Sequence, residues 1–451
     1  MMTWFARPSR SSGPMCRPLR QAGPGNEQGS FRPAGHAGAF LPAPDRERGR
    51  GVRGEEEGAR PVPFATRATL GGLVALSAVA TDIALPAQPV IAADLGGTAT
   101  EAQWVVSSYL AGFAAGQILW GMASDHWGRI PAIRAGLVAF AAISAGLALA
   151  PSMAVFLPLR LIQGLAGGVG PVVARAIVRD LSGGAAGGRL MAGLTALLGL
   201  GPLLAPLVAS AILLVLPWQA LFWLSMGYAL VLLAAARHSL WETRRGPGQG
   251  LGLGALVRGG SRFLAIPACR TGLLLVALPF AGYLTVIAAS STVLEAVYDV
   301  PPTLFGVVFA TAAIGFSGGS LIARRLLRHR DLEQVLSAGA GLLALSGLGL
   351  AAVLAGLLEG LVPFWGFVSL FIFGVGVLLP SATMLALEHV PEIAGLAAAL
   401  IGTVQLAGGA LVSALAAAAF DGTPRAMIIV LLTSAATAIL VRLVSLVRSS
   451  P

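Results

Sequence analysis

Lysine is absent: all 30 residues of the lysine–arginine class are arginine. A Walker A loop needs its lysine on the nucleotide phosphates, and Schiff-base catalysis needs a lysine amine. Both are excluded, so ATP hydrolysis by this chain is not a source of work. Two cysteines, Cys16 and Cys269, exclude a disulfide framework and a cysteine-rich metal site. The five histidines lie far apart, with no HExxH spacing. No metal and no cofactor is expected. Charge is scarce too: 11% of the 451 residues are charged, against roughly a quarter in soluble domains. Apolar residues take its place, at 56%. That composition excludes a soluble globular fold, and disorder of the whole chain as well. The net charge of +10 comes from arginines set between apolar stretches rather than along one face. It is a topology signal, and no nucleic-acid partner is expected.

Residues 1–65 are rich in Pro, Gly, Arg and Ser and show almost no apolar periodicity. They read as a disordered cytoplasmic tail. They do not read as a signal peptide, since no apolar core follows a short basic start. Three accounts stay open. The tail is passive, or it is a basic arm touching anionic lipid, or the start is placed too early. After Met15 the next methionine is Met122, so initiation at a non-Met codon for Val52 or Val62 leaves no mark in the sequence.

From Leu70 the chain is a series of apolar runs of spanning length, about 20 residues each. They fall at 68–92, 102–122, 131–150, 153–175, 188–214 and 218–236, then at 270–294, 302–324, 333–357, 361–385, 393–419 and 425–447. The expectation is an all-α membrane protein of twelve transmembrane helices, six plus six. Arginines test it. With the N-terminus inside, the inner flanks hold Arg67, Arg129, Arg134, Arg175, Arg179, Arg324, Arg325, Arg328, Arg330, Arg442 and others, whereas the outer side holds Arg425 alone. The outer side carries Asp94, Glu101, Glu295, Asp299, Glu359 and Asp421 instead. The positive-inside rule places both termini in the cytoplasm of a multi-pass inner-membrane protein.

Asp82 and Arg160 fall inside spans. An intramembrane charge is costly and points to function by default. Asp82 lies about 9 residues from the outer end of its span and Arg160 about 7, so roughly 14 Å and 10 Å deep at helical rise. At similar depth they are placed to share one cavity. A carboxylate in a low-dielectric site holds its proton more readily, and a nearby cation opposes this. Proton and substrate then compete for one carboxylate, which is proton-coupled exchange. The alternative is a static buried salt bridge that fixes helix packing. Tyr109, Gln117, Gln163 and Gln405 are candidates to hydrogen-bond a ligand or to tie helices together. Phe280, Tyr283, Phe305 and Phe309 line an apolar pocket or pack.

The stretch Gly121-Met122-Ala123-Ser124-Asp125-His126-Trp127-Gly128-Arg129 joins the second and third spans. Gly121 permits close helix approach and Gly128 can take the positive φ of a tight turn. Asp125 can pair with Arg129 or sit at a helix N-terminus. This loop resembles the signature of the major facilitator superfamily. Arg160-Leu161-Ile162-Gln163-Gly164 is similar to that family's intramembrane arginine motif, and Gly199-Leu200-Gly201-Pro202 with Pro206 to the motif of its antiporters. Asp82 with Leu85-Pro86 and Pro89, then Tyr109 through Gln117, and Arg175 through Asp180, resemble the drug:proton antiporter branch, the bicyclomycin/chloramphenicol (Bcr/CflA) type. The likeness covers roughly 66–447 and is mostly topological in the second half.

The resemblance implies two six-helix bundles, 66–237 and 270–447, joined by a cytoplasmic central loop at 238–269 and rocking around a midplane site. Asp82 would carry the proton and Arg160 tune it. Asp125 would latch onto the second half near Pro391–Leu396. The fifth-span seam at Gly199, Gly201, Pro202 and Pro206 would resist ion leakage. Three departures stand out: Ile130-Pro131 follows Arg129 where a second basic residue is usual, Val74 stands where some relatives have an acid, and Gly319–Arg325 lacks the loop aspartate. The function implied is a monomeric transporter, not an enzyme, that exports small amphipathic compounds or drugs in exchange for protons. The alternatives are an exporter of one endogenous metabolite and, in a different class, a non-transporting receptor or scaffold, expected to drop the buried charges.

Overall fold

The computed structural model describes residues 62–181, 201–244, 253–390 and 394–449. The described residues are all-α. Before the central segment run α1 (Phe64–Asp82), α2 (Gln88–Asp94), α3 (Ala99–Trp127), α4 (Arg129–Ala148), α5 (Met153–Gly167), α6 (Val169–Leu181), α7 (Gly201–Ile212) and α8 (Gln219–Ser239). After it run α9 (Leu253–Ala265), α10 (Pro267–Ala296), α11 (Pro302–Leu326), α12 (Leu332–Leu354), α13 (Leu361–Glu388), α14 (Ala394–Ala418) and α15 (Arg425–Ser449). Among the described residues, 11 stretches are long and apolar enough to cross a membrane, α1 with α2 and α5 with α6 each counting as one. The chain is a multi-span membrane protein. Most expected spans return within a few residues. The start of the expected fifth span lies outside the described residues, as do residues 1–61 of the tail; α7 is its apolar end. The central segment differs from expectation, since α9 makes part of it helical.

Local sequence sets the ends. Thr98 caps α3: its Oγ1 accepts from Glu101 N at 3.2 Å, and Glu101 Oε2 accepts from Thr98 N at 2.8 Å. Gly128, at φ +104°, ends α3 and begins α4 in one step. Proline opens both α10 and α11, where a missing N–H costs nothing.

Glycine decides the closest packing. A methyl on Gly112 would overlap the Leu161 carbonyl oxygen, and one on Gly164 the Tyr109 carbonyl oxygen. So α3 and α5 touch backbone to backbone, as small-xxx-small spacing permits. The pair α11 and α13 repeats this device, with Gly319 against Phe373 O and Gly376 against Phe316 O. The apolar core is divided. Phe305, Phe364 and Phe371 centre a cluster in the later helices, and Phe140 and Leu137 one in the earlier. Phe156, Trp218 and Phe222 stack edge to face in a third, with centroids 5.4–5.9 Å apart.

Earlier and later helices meet at the end of the molecule where α2 leads into α3 and α10 into α11. Ser107 and Ser413 hydroxyls lie 3.2 Å apart. Ser210 Oγ donates to Pro302 O at 2.8 Å and accepts from Gly306 N at 3.0 Å. With its amide turned so that Nε2 faces two carbonyls, Gln88 donates to Ala102 O at 3.1 Å and Ala288 O at 2.9 Å.

Candidate functional site

Asp82 is the last residue of α1, and its placement is local in origin. Pro86 lacks the N–H that would close on the Asp82 carbonyl, so the helix cannot continue. A short 3₁₀ turn, Leu85–Ala87, follows, and α2 resumes at Gln88. The helical rise used to place Asp82 in depth therefore holds only up to residue 82. Its side chain is 2% exposed. Among the described residues it forms no ion pair and accepts no hydrogen bond.

Arg160, on α5, is fully buried. Its Nε donates to Val105 O at 3.0 Å, and its Nη1 to Ala80 O at 3.3 Å and to Gln163 Oε1 at 2.6 Å. Nη2 is buried with no partner. The guanidinium lies 4.7 Å from the Tyr109 ring centroid and 5.8 Å from that of Phe222, in cation–π range. The expected alternative of a static Asp82–Arg160 salt bridge is thus not what forms. Arg160 instead holds a carbonyl in the last turn of α1, two residues before Asp82. A cation suits a helix C-terminus because the free carbonyls there are negative. That bond ties Arg160 to the turn that carries Asp82, and the Tyr109 ring lies against the guanidinium.

The other candidates separate by contact. Tyr109 is fully buried, reaches Ser77 O at 3.4 Å and stacks on Phe113. Gln163 is occupied at both ends: Oε1 accepts from Arg160, and Nε2 donates to Ser144 Oγ at 2.8 Å. It positions Arg160. Gln117 Oε1 accepts from Arg175 Nη2 at 3.4 Å. Gln405 is half-buried with no partner among the described residues. Phe305 and Phe309 stack in the core, 5.4 Å apart. Tyr283, on α10, is buried, stacks on Phe316 with ring centroids 5.2 Å apart, and lies tilted against Phe280, also 5.2 Å away. Phe316 carried no sequence signal, since a lone aromatic in an apolar run reads as packing.

The loop between α3 and α4 folds into a charge network. Arg129 pairs with Asp125 at 2.5 Å and Asp180 at 3.0 Å, and reaches Ser124 Oγ at 3.0 Å. Glu242 caps α4 from the segment after α8, accepting from Arg129 N at 3.0 Å and Ile130 N at 3.1 Å. A side chain at Gly128 would displace it, because a methyl there would lie 2.7 Å from Glu242 Oε2. Arg244 Nη1 donates to the carbonyls of Asp125 and His126 at 2.7 and 2.6 Å. Thr243 Oγ1 donates to Asp180 at 3.1 Å. Asp125 therefore pairs inside the earlier helices; residues 391–393, part of its expected partner segment, lie outside the described residues. Glu242 escaped the sequence reading, although an acid among arginines beyond a span was the available signal. Burial opposes its charge, but the N–H groups of Arg129, Ile130 and Arg244 and the Arg129 charge together hold its carboxyl below the ordinary 4.5.

A stability effect follows. A depressed carboxylate stabilises the fold above its unfolded value, and the contribution is lost as pH falls through the folded value. Glu242→Gln is expected to cost about 0.5–2 kcal/mol at neutral pH, the range for losing a helix cap. Thermal midpoints of parent and variant are expected to converge below pH 4.5. A gap that persists in acid would show that the carboxylate is not its source.

Of the fifth-span residues, Gly201 and Pro202 open α7, where a methyl on Gly201 would lie 2.6 Å from Ala78 Cβ. Pro206 sits within α7, its carbonyl against Gly306; Gly199 is outside the described residues. Among the described residues no group of three His, Cys, Asp or Glu could hold a metal ion.

The sequence profile of the Major Facilitator Superfamily matches residues 70–413. A bicyclomycin resistance protein homolog of Haemophilus influenzae is 30% identical over 356 residues, covering 77% of this chain and 88% of that protein. The chain belongs to the major facilitator superfamily. It is a secondary transporter of small molecules that works by alternating access, not an enzyme. A chloramphenicol resistance protein of Pseudomonas aeruginosa is 35% identical over 171 residues, 38% of this chain and 41% of that one. The superfamily fold is met again in a D-xylose–proton symporter, at TM-score 0.63 and 16% identity over 84% of this chain and 96% of that one. A nucleoside transporter, NupG, superimposes at TM-score 0.65 and 13% identity, covering 85% and 100%.

Proposed function

We propose that this transporter exports small amphipathic compounds, drugs among them, in exchange for protons. The observation that carries the reading is the Asp82 carboxyl: buried, at a helix break, and with no ion pair or hydrogen bond among the described residues. Such a group binds either a proton or a substrate, and each displaces the other. Arg160 tunes it by holding the turn that presents it. The aromatic group at Tyr283, Phe280 and Phe316 offers an apolar wall to an amphipathic ligand. Relatives named for bicyclomycin and chloramphenicol resistance support the drug:proton antiporter branch.

In this reading α7 belongs to the expected fifth span, whose start lies outside the described residues. The bundles are 66–237 and 270–447, the segment 238–269 is cytoplasmic, and both termini are inside. The contacts at Ser107, Ser210 and Gln88 then lie on the outer side, and the arrangement is closed outward. The network of Asp125, Gly128 and Arg129 is the inner gate. Ser210→Ala, which removes two contacts with α11, is expected to favour outward opening. External labelling of a reporter at Ser107→Cys should rise roughly threefold to tenfold, about 1 kcal/mol of lost hydrogen bonding. Unchanged labelling would remove Ser210 from the seal.

The direct test uses everted vesicles under an imposed proton gradient and three drugs, one neutral, one monocationic and one zwitterionic. At least one is expected to accumulate, and to stop accumulating when the gradient is collapsed. A protein that inserts yet moves none would defeat drug export and direct the search to one endogenous metabolite.

A further inference from the structure

An open groove of about 650 Å³ lies beside the loop between α3 and α4, at the foot of α4 and α8. Its lining includes Trp127, Pro131, Arg134, Trp241, Glu242 and Arg244. The charges in it are unequal in what they have left to give. Arg134 is exposed and makes no ion pair or hydrogen bond among the described residues. Arg244 spends Nη1 on two backbone carbonyls. Glu242 turns both oxygens to the backbone N–H groups of Arg129, Ile130 and Arg244. The groove therefore offers net positive charge to a ligand: two guanidinium groups stand against one carboxylate, which already accepts three N–H bonds.

The two tryptophans add a second observation. Trp127 is 60% exposed and Trp241 50%. Large amphipathic rings in such numbers suit the boundary between bilayer and water. The faces above the groove supply a third. Along α4 the exposed positions 131, 134, 135 and 138 follow helical spacing, and Val138 is 54% exposed. On the neighbouring α8, Val231 at 66% and Ala234 are exposed, and Trp241 lies just past the helix end, after the extended Leu240. Each helix thus has exposed apolar positions above a foot that carries Arg134 on one side and Trp241 on the other.

We propose that this groove binds an anionic phospholipid, with the headgroup phosphate at Arg134 and Arg244 and the acyl chains along Val138 and Val231. Arginine suits a phosphate because its planar fork donates two parallel hydrogen bonds. A zwitterionic lipid gains less, because it brings no net negative charge to the two arginines. The site is independent of export: a protein that moved no drug would still hold this groove.

The experiment uses the full chain in mild detergent. It is equilibrated with equal amounts of phosphatidylglycerol and phosphatidylcholine and freed of loose lipid by size exclusion, and bound lipid is counted by mass spectrometry. The parent is expected to retain phosphatidylglycerol in preference. Arg134→Gln is expected to lower retention roughly fivefold, about 1 kcal/mol for one arginine at a membrane surface. Arg134→Lys, which keeps the charge and loses the fork, is expected to restore only part of it, and Arg328→Gln, far from the groove in sequence and on α11's exit, to leave it unchanged. Should Arg134→Gln not fold, Trp241→Ala gives the same reading. Equal retention of the two lipids overturns the proposal, as does parental retention in the Arg134→Gln and Trp241→Ala variants. Glycerol phosphate binding as tightly as the lipid would assign the groove to a soluble phosphate compound and also overturn it.

Discussion

Asp82→Asn is expected to abolish transport driven by a proton gradient while leaving the folded protein intact. Asparagine fills the same space, so the break after α1 and the packing around 2% exposure are kept. What is lost is the exchangeable proton. No partner is orphaned by the change, because Asp82 forms no ion pair or hydrogen bond among the described residues. Gradient-driven accumulation in everted vesicles is expected to fall by roughly 100-fold, the upper part of the range for a coupling free energy. Substrate counterflow, which needs no net proton movement, is expected to persist. Loss of both activities in a protein that no longer folds would make Asp82 a structural group; retention of both would place the proton elsewhere.

Gly164→Ala is expected to damage the fold more than its single methyl suggests. The new carbon would overlap Tyr109 O and stand 2.9 Å from Phe113 N. Both are backbone atoms of α3, so no rotamer relieves the clash; α3 and α5 must separate. They carry Tyr109 and Arg160, and the Arg160 bond to Val105 O spans the gap. Overpacking costs about 1–3 kcal/mol, and more where backbone must move, so the upper end is expected. Gly366→Ala is the contrast. It lies in α13 with nothing within 4 Å of the new carbon. There alanine is expected to stabilise by about 0.5–1 kcal/mol through helix propensity alone. Thermal midpoints in detergent check both signs. Equal effects would mean that the close approach of α3 and α5 is not what Gly164 provides.

These two positions show how far sequence reading reaches. Asp82 and Arg160 were legible because charge inside an apolar run has few explanations. Their relation was not. Depth along two helices says nothing of azimuth, and the Pro86 break makes even depth a local quantity. Gln163 read as a cavity candidate because a polar group in a span has two outlets, ligand or helix. In the structure both ends of its amide are bonded, to Arg160 and to Ser144. Gly164 and Gly366 are both glycines in apolar helices, and nothing in their neighbours along the chain separates them.

The sequence by itself determined most of the helical spans, the spacing of the arginines and the turn at Gly128. Each follows from hydropathy, charge or backbone chemistry acting over a few residues. The tertiary structure alone decided that Arg160 grips Ala80 and Val105 carbonyls rather than Asp82, that Tyr283 stacks on Phe316, and that Glu242 caps α4. Those contacts join residues tens to hundreds of positions apart. They depend on which faces of the helices meet, and apolar helices leave that choice to close packing, because lipid and core are equally good solvents for their side chains.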